Sequence, residues 1–312
     1  MRLIKVDFKD VNLIQSINKF LNSISSVDVK QTPEWFIARE ECGFAICFAE
    51  DKRIIGYCNV FINENEAYLP RGPVIVANMF DVCLDSLCDY IKSLGYSKMR
   101  LNPKIQEKLK IDRNFKCCAK NDFSKLRESY REAIVELKNK SENDLLYDFS
   151  SSTRYHIRKA LNNNLIINLS KICNLDDFYS IYEETAIRHN FIPHNKQYFE
   201  NLIKAFKEKI FFCKISYNNE VVAMSLNILQ GDTIHYLYGA SSSQKNKLYA
   251  SYLMHWAMIK YAFNNGFKFY NFGGVFAKDN EVDSKDYGLL RFKSGFCKSG
   301  FIEYEPDMII FL

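Results

Sequence analysis

Apolar positions along this 312-residue chain recur at two spacings, and the spacing switches where cap and turn residues fall. Val11, Ile14, Ile17, Phe20 and Leu21 repeat every three or four residues behind Asp10, which predicts an amphipathic helix capped by that carboxylate. Thr32 followed by Pro33 predicts a second helix, with Thr32 as N-cap and Pro33 in the first turn. Dense apolar runs at Phe44–Ala49 and Ile54–Ile62, separated by the turn Asp51-Lys52, predict strands. Pro70, Arg71, Gly72 and Pro73 break the pattern. Phe80, Cys83, Leu84, Leu87 and Ile91 then predict a helix over 79–94, closed by Gly95, and Lys98–Leu101 predicts a strand ending at Asn102.

The second half runs in the same order. Helices are predicted over 148–161, 176–189 and 195–206, then strands over 210–216, 221–229 and 233–238. A long helix over 249–264 is ended by Gly266, and a strand over 268–272 leads into Gly273 and Gly274. Both halves thus read helix, helix, antiparallel strands, long helix, strand. That order resembles an N-acetyltransferase-like (GNAT-like) α/β unit used twice, an α+β arrangement of two tandem domains with mixed sheets. The strand Ala133–Leu137, set in a charged stretch from Lys125 to Lys140, marks the junction, giving expected domains of 1–134 and 135–312.

Composition narrows the class without naming a function. Hydrophobic residues make up 47% and charged residues 25%, with 12 Gly and 6 Pro, which excludes a disordered, collagen-like or low-complexity chain. No stretch nears the length of an uncharged membrane span and no secretory leader is legible, so a cytoplasmic protein is expected. The ten cysteines include no CxxC pair and mostly sit in apolar runs, which predicts reduced core thiols and no metal site. A net charge of +5 permits a polyanionic partner without requiring one.

Four segments carry candidate chemistry. Alternation places Tyr236 and Tyr238 on one face of a strand, where two phenols either line a cleft or pack with their hydroxyls at its rim. Ser243–Tyr249, ahead of the long helix, lacks the glycines that bring backbone amides onto a coenzyme A pyrophosphate, which argues against that cofactor. Gly273 and Gly274 suit a positive φ, a close backbone approach or a plain turn. Lys293 behind Phe292 is either a solvated lysine or a partly desolvated one able to stabilise an oxyanion. Arg154 and Arg158, one turn apart with Lys159 beside them, form a basic helix face suited to phosphates or simply to water.

The segments Phe149–Lys159, Ile181–His189, Gln197–Phe199, Tyr236–Ala240, Asn271–Gly274 and Gly288–Lys293, in this order, resemble the Fem family (FemABX) of peptidoglycan bridge-forming, tRNA-dependent aminoacyltransferases. The likeness is to the short FemX type, since no long heptad run marks a coiled-coil arm. It implies transfer of an amino acid from aminoacyl-tRNA to an amine of a cell-wall precursor, UDP-MurNAc-pentapeptide or its lipid-linked form. A lipid-linked acceptor would add a peripheral membrane contact. The resemblance further implies that no cofactor is used, that Lys293 and Phe292 are catalytic, and that Tyr236, Tyr238, Tyr198, His194, Arg39, Arg71 and Asn102 contact the precursor. Arg154, Arg158 and Lys159 fall on the tRNA side. Three positions depart from the family pattern: Ile37 and His194 stand where a diphosphate clamp has a lysine and an arginine, and Asn102 where an acid stands. A different acceptor amine, or a coenzyme A-dependent N-acyltransferase, are the alternative readings.

Overall fold

A computed structural model of the protein describes residues 1–106, 115–118, 127–243, 245–277 and 286–312. Lys125 and Gln244, in segments singled out above, lie outside the described residues. The chain divides into two compact units. One comprises Met1–Arg131, Gly274–Phe276 and Glu303–Leu312, the other Glu132–Gly273 and Ala277–Ile302. The expected second domain, 135–312, is therefore corrected at its end: the last ten residues belong to the first unit.

The elements before the junction are β1 (Arg2–Lys5), α1 (Val11–Ser23), α2 (Pro33–Arg39), β2 (Gly43–Glu50), β3 (Arg53–Asn63), β4 (Glu66–Leu69), β5 (Val74–Ile75), α3 (Phe80–Ser93), β6 (Lys98–Leu101) and β7 (Phe115–Cys117). Beyond it come β8 (Arg131–Glu136), α4 (Glu142–Asp148), α5 (Ser151–Leu161), β9 (Ile166–Ser170), α6 (Leu175–His189), α7 (Lys196–Phe206), β10 (Ile210–Tyr217), β11 (Glu220–Gln230) and β12 (Thr233–Ser241). The chain finishes with α8 (Ala250–Asn264), β13 (Phe269–Gly274), α9 (Tyr287–Phe296), β14 (Ile302–Glu303) and β15 (Met308–Phe311).

The first sheet has the order β1-β2-β3-β4-β6-β15-β7, with β5 also on β3. It is antiparallel except between β4 and β6. Both of its faces are covered, which explains the unbroken apolar run of β2. Phe44, Ile46 and Phe48 meet Cys83, Leu84, Leu87 and Ile91 of α3 on one side. Ala45 and Cys47 meet Ile17 and Leu21 of α1 on the other. Met308 and Ile310 of β15 are buried in the α3 layer, which draws the C-terminal strand into this sheet. Asp10 accepts from Leu13 N at 3.0 Å and Thr32 from Trp35 N at 3.2 Å, so both predicted caps form.

The second sheet runs β14-β8-β13-β12-β11-β10-β9, with β9 to β12 antiparallel and β12 parallel to β13. α8 packs on β10, β11 and β12 and against α5, while α6 packs on β11 and β12. Leu253, Met254, Trp256, Ala257, Met258, Ile259 and Ala262 are all buried, so α8 is apolar around its circumference. The helix predicted over 148–161 is α5, which starts three residues later, and the separate short helix α4 before it was not predicted. Asp148 ends α4, and Ser150 restarts the chain by accepting from Thr153 N at 3.2 Å. Seven of the ten thiols are buried, Cys173 is half-buried, and Cys42 and Cys117 are exposed.

Candidate active site

Lys293 lies on the inner side of α9, 5% exposed, between half-buried Phe292 and buried Gly295 and Phe296. The backbone N–H of Ser150 donates to the Gly295 carbonyl at 2.8 Å, tying α9 to the start of α5. Burial pushes the Lys293 ammonium down to about 8, against the opposing pull of Glu132, Cys297 and Asp286. Glu132, on β8 and 2% exposed, accepts from Asn271 Nδ2 at 2.9 Å. Asn271 is fixed in turn by Gly273, whose N–H donates to Asn271 Oδ1 at 2.7 Å. Gly273 has φ +80, the conformation its lack of a side chain allows.

Aromatic rings enclose this lysine site. His255 of α8 is 2% exposed, and burial with the nearby Lys293 charge holds its imidazole down to about 3, so it is neutral. Its Nδ1 lies 2.9 Å from the Tyr270 hydroxyl. Its ring is 4.5 Å from Phe272, 4.6 Å from Tyr236 and 5.4 Å from Phe292. Burial pushes the Tyr236 phenol up, which keeps it a hydrogen-bond donor. A Cβ on Gly239 would fall 1.9 Å from the Tyr236 hydroxyl, so that glycine is what lets the phenol lie back along its own strand.

The structure overturns the shared face expected of Tyr236 and Tyr238. Across β11 and β12, Asn227 pairs with Tyr236 and Leu226 with Tyr238, so Leu237 is an extra residue in the ladder. Such a bulge breaks the alternation of side chains. Tyr236 packs on His255 and Phe272, whereas Tyr238 packs on Tyr182, Tyr198, Phe199 and His194. The Tyr198 and Tyr238 hydroxyls are 2.7 Å apart, and His194 stacks on Tyr198 at 4.1 Å. The predicted residues thus fall into two clusters: Lys293, Phe292 and Tyr236 in one, Tyr198, His194 and Tyr238 in the other.

The remaining expected residues make other contacts. Arg154 is half-buried and donates to the Tyr147 carbonyl at 3.1 Å and to that of Phe149, so it closes the end of α4, while Arg158 and Lys159 are exposed. In the first unit, Arg39 pairs with Glu41 and lies over Trp35. Arg71 is 3% exposed, between Asp28 at 3.8 Å and Glu128 at 3.9 Å. Asn102 accepts from Arg71 N at 2.5 Å and donates to Asp307 at 2.7 Å, a buried bridge. Sequence reading missed Glu132, His255 and Tyr270. Glu132 opens an apolar strand where a charge reads as a solvated flank. The one signal for His255 was an imidazole inside an otherwise apolar helix.

A profile of the FemAB family matches residues 113–220 and 214–304. Aminoacyltransferase FemB of Staphylococcus epidermidis is 24% identical over 225 residues, 52% of this chain and 54% of that protein, so the match spans about half of that relative's length. Lipid II:glycine glycyltransferase of the same species is 22% identical over 89% of this chain and 87% of its own. Among solved structures, FemX superposes with a TM-score of 0.82 at 18% identity, covering 100% of this chain and 98% of that one. A tandem GNAT protein from the clavulanic acid biosynthesis pathway superposes with 0.56 at 6% identity, covering 99% and 98%. These two likenesses establish the fold as tandem GNAT-like. The profile match takes in Glu132, Asn271, His255 and Lys293 together, and with it the chain belongs to the FemAB family.

Proposed function

We propose that the protein transfers an amino acid from aminoacyl-tRNA to an amine of a peptidoglycan precursor peptide. The observation that carries this reading is Lys293, a buried ammonium lowered to about 8 beside aromatic rings, in a chain of the FemAB family. The named activities of FemB and of the lipid II glycyltransferase support it. In the reaction, the acceptor nitrogen attacks the ester carbonyl, a C–N bond forms and the C–O bond to the ribose breaks. The Lys293 ammonium stabilises the oxyanion and protonates the departing ribose oxygen, and the proton released by the attacking amine restores it. Tyr236 supplies a second donor at the same cluster. Tyr198, Tyr238 and His194 hold the acceptor, with rings against its sugar or peptide and hydroxyls on its polar groups. No metal or organic cofactor enters this scheme, in which aminoacyl-tRNA is the co-substrate. Its use would place the reaction in the cytoplasm.

A second reading keeps the donor and changes the acceptor. Ile37, 51% exposed, and His194 supply no fixed cation at the two clamp positions, which favours an acceptor without a diphosphate. One experiment separates the readings. The protein is offered tRNAs charged with labelled amino acids together with UDP-MurNAc-pentapeptide or its lipid-linked form, and products are read by mass spectrometry. A labelled peptide is expected. Label on neither precursor, with tRNA still bound, selects the second reading. Failure to bind tRNA with binding of acetyl-CoA overturns both.

A further inference from the structure

Among the described residues of the second unit, one carboxylate and one amine are buried: Glu132, 2% exposed, and Lys293, 5% exposed. A buried charge persists where an opposite charge or a set of hydrogen bonds offsets its lost hydration. Glu132 has a fixed seat. It lies on β8, which runs beside β13 in the sheet, and accepts from Nδ2 of buried Asn271 on β13 at 2.9 Å. The oxygen of that carboxamide is held by the Gly273 N–H at 2.7 Å. The amide is thus oriented by its own strand and presents its N–H group to the carboxylate. α9, which carries Lys293, is the next helix along the chain.

The other groups around Lys293 do not replace this charge. Asp286, at the start of α9, is half-buried, so water screens it. Burial pushes the Cys297 thiol up to about 12, and it carries no charge at neutral pH. His255 of α8 is neutral, and burial pushes the phenols of Tyr236, Tyr252 and Tyr270 up, so they too are uncharged. From α5, the hydroxyls of Ser150 and Thr153 lie against Gly295, Arg154 donates to the Tyr147 and Phe149 carbonyls, and burial lowers the His156 imidazole. Glu132 is the strongest influence opposing the effect of burial on Lys293. With it the ammonium persists to about pH 8. Without it burial would act with less opposition, and a lysine neutral at the working pH has no proton for a leaving oxygen.

We propose that Glu132, held by Asn271, is the positioning residue that keeps Lys293 an ammonium for the transfer reaction. It acts through the lysine, by charge. This inference rests on the activity proposed above.

The test uses the full chain with isotope-labelled lysine. The Lys293 resonance is identified by its loss in Lys293→Met, and its titration is followed by NMR. Glu132→Gln keeps the shape and an acceptor oxygen for Asn271 but removes the charge. The titration midpoint should then fall by about 1 to 3 pH units, the range for loss of a neighbouring opposite charge. Transfer at pH 7 should fall about 2- to 100-fold as a result, and recover as the pH is lowered. Glu132→Asp, which retains the charge, should stay nearer to the wild-type midpoint and pH profile. A midpoint unchanged in Glu132→Gln, or lowered as far in Glu132→Asp, overturns the role and leaves Glu132 an acceptor for Asn271 alone. If Glu132→Gln fails to fold, adding Lys293→Met should restore the fold, because the uncompensated ammonium is gone. A double variant that stays unfolded also overturns the role. The midpoint is read without substrate, so the two proposals fail separately. A midpoint that moves in a protein that transfers nothing keeps the pair and removes the chemistry. Transfer with an unmoved midpoint does the reverse.

Discussion

Arg100 in the first unit and Lys293 in the second are both covered cations, and burial acts on both to favour the neutral form. For Arg100 that effect is outweighed by Glu66 and Asp307, which hydrogen-bond its guanidinium at 3.1 and 3.3 Å, and its pKa is raised. For Lys293 burial wins over Glu132, Cys297 and Asp286, and its pKa falls to about 8. The first arrangement locks a charge in place. The second leaves an ammonium that gives up its proton near physiological pH, as a general acid must. The surroundings differ too: Arg71, Asp28, Glu128, Asn102 and Asp307 interlock in the first unit, whereas the Lys293 charge acts on His255, whose ring meets Tyr236, Phe272 and Phe292.

The sharpest break of this contrast would be at Asp307. It is 0% exposed and accepts from Arg100 Nη1, Asn102 Nδ2 and Arg127 N. Asp307→Ala should cost about 3–5 kcal/mol in denaturant unfolding, because it strands buried donors. A loss under about 1 kcal/mol would mean that the network is not locked.

Lys293→Met should act in opposite directions on chemistry and stability. Transfer should fall about 10²- to 10³-fold, the usual size for loss of an oxyanion donor. Stability at pH 7 should rise by roughly 1–3 kcal/mol. Below about pH 8 folded and unfolded wild-type chains both carry the ammonium, so the folded state bears the whole cost of burying it. Between about 8 and the ordinary value of 10.5 the folded lysine is neutral and the cost fades. The gain of the variant should therefore shrink over that window, and wild-type transfer should fall as pH rises through about 8. A variant less stable at pH 7 than at pH 10 relative to wild type would contradict this.

Gly239→Ala places a methyl 1.9 Å from the Tyr236 hydroxyl oxygen and should cost about 1–3 kcal/mol, with a matching loss of transfer. Adding Tyr236→Leu should recover most of the stability but not the transfer. Strictly additive effects in that cycle would mean that the glycine does not set the phenol. The smallest effect concerns His255, whose imidazole is held to about 3 when folded and has its ordinary 6.5 when unfolded. The unfolded chain takes up a proton first, so stability should drop as pH falls below about 6.5, by at most about 1.4 kcal/mol per pH unit. His255→Gln should flatten that slope, and an unchanged acid limb would place its origin elsewhere.

Local signals determined much of this protein. Asp10 and Thr32 cap helices as their positions predict, because a cap needs only side chains and amides within three residues. The spacing of Cys83, Leu84, Leu87 and Ile91 fixed α3 and its buried side, and the order of elements in each half pointed to the tandem fold. Phe292 and Lys293 were legible as a pair, although nothing local distinguished a solvated lysine from one 5% exposed.

Tertiary structure decided the rest. A one-residue bulge at Leu237 sent Tyr236 to His255 and Tyr238 to Tyr198, and a bulge depends on the partner strand rather than on its own residues. β15 reads as a strand anywhere, and only the apolar layer under α3 placed Met308 and Ile310 in the first sheet. Glu132 and Lys293 are 161 positions apart in the chain (293 − 132), and no periodicity spans that distance. Their mutual influence arises because β8 and α9 are both buried in one unit, where low polarity lets a carboxylate and an ammonium act on each other.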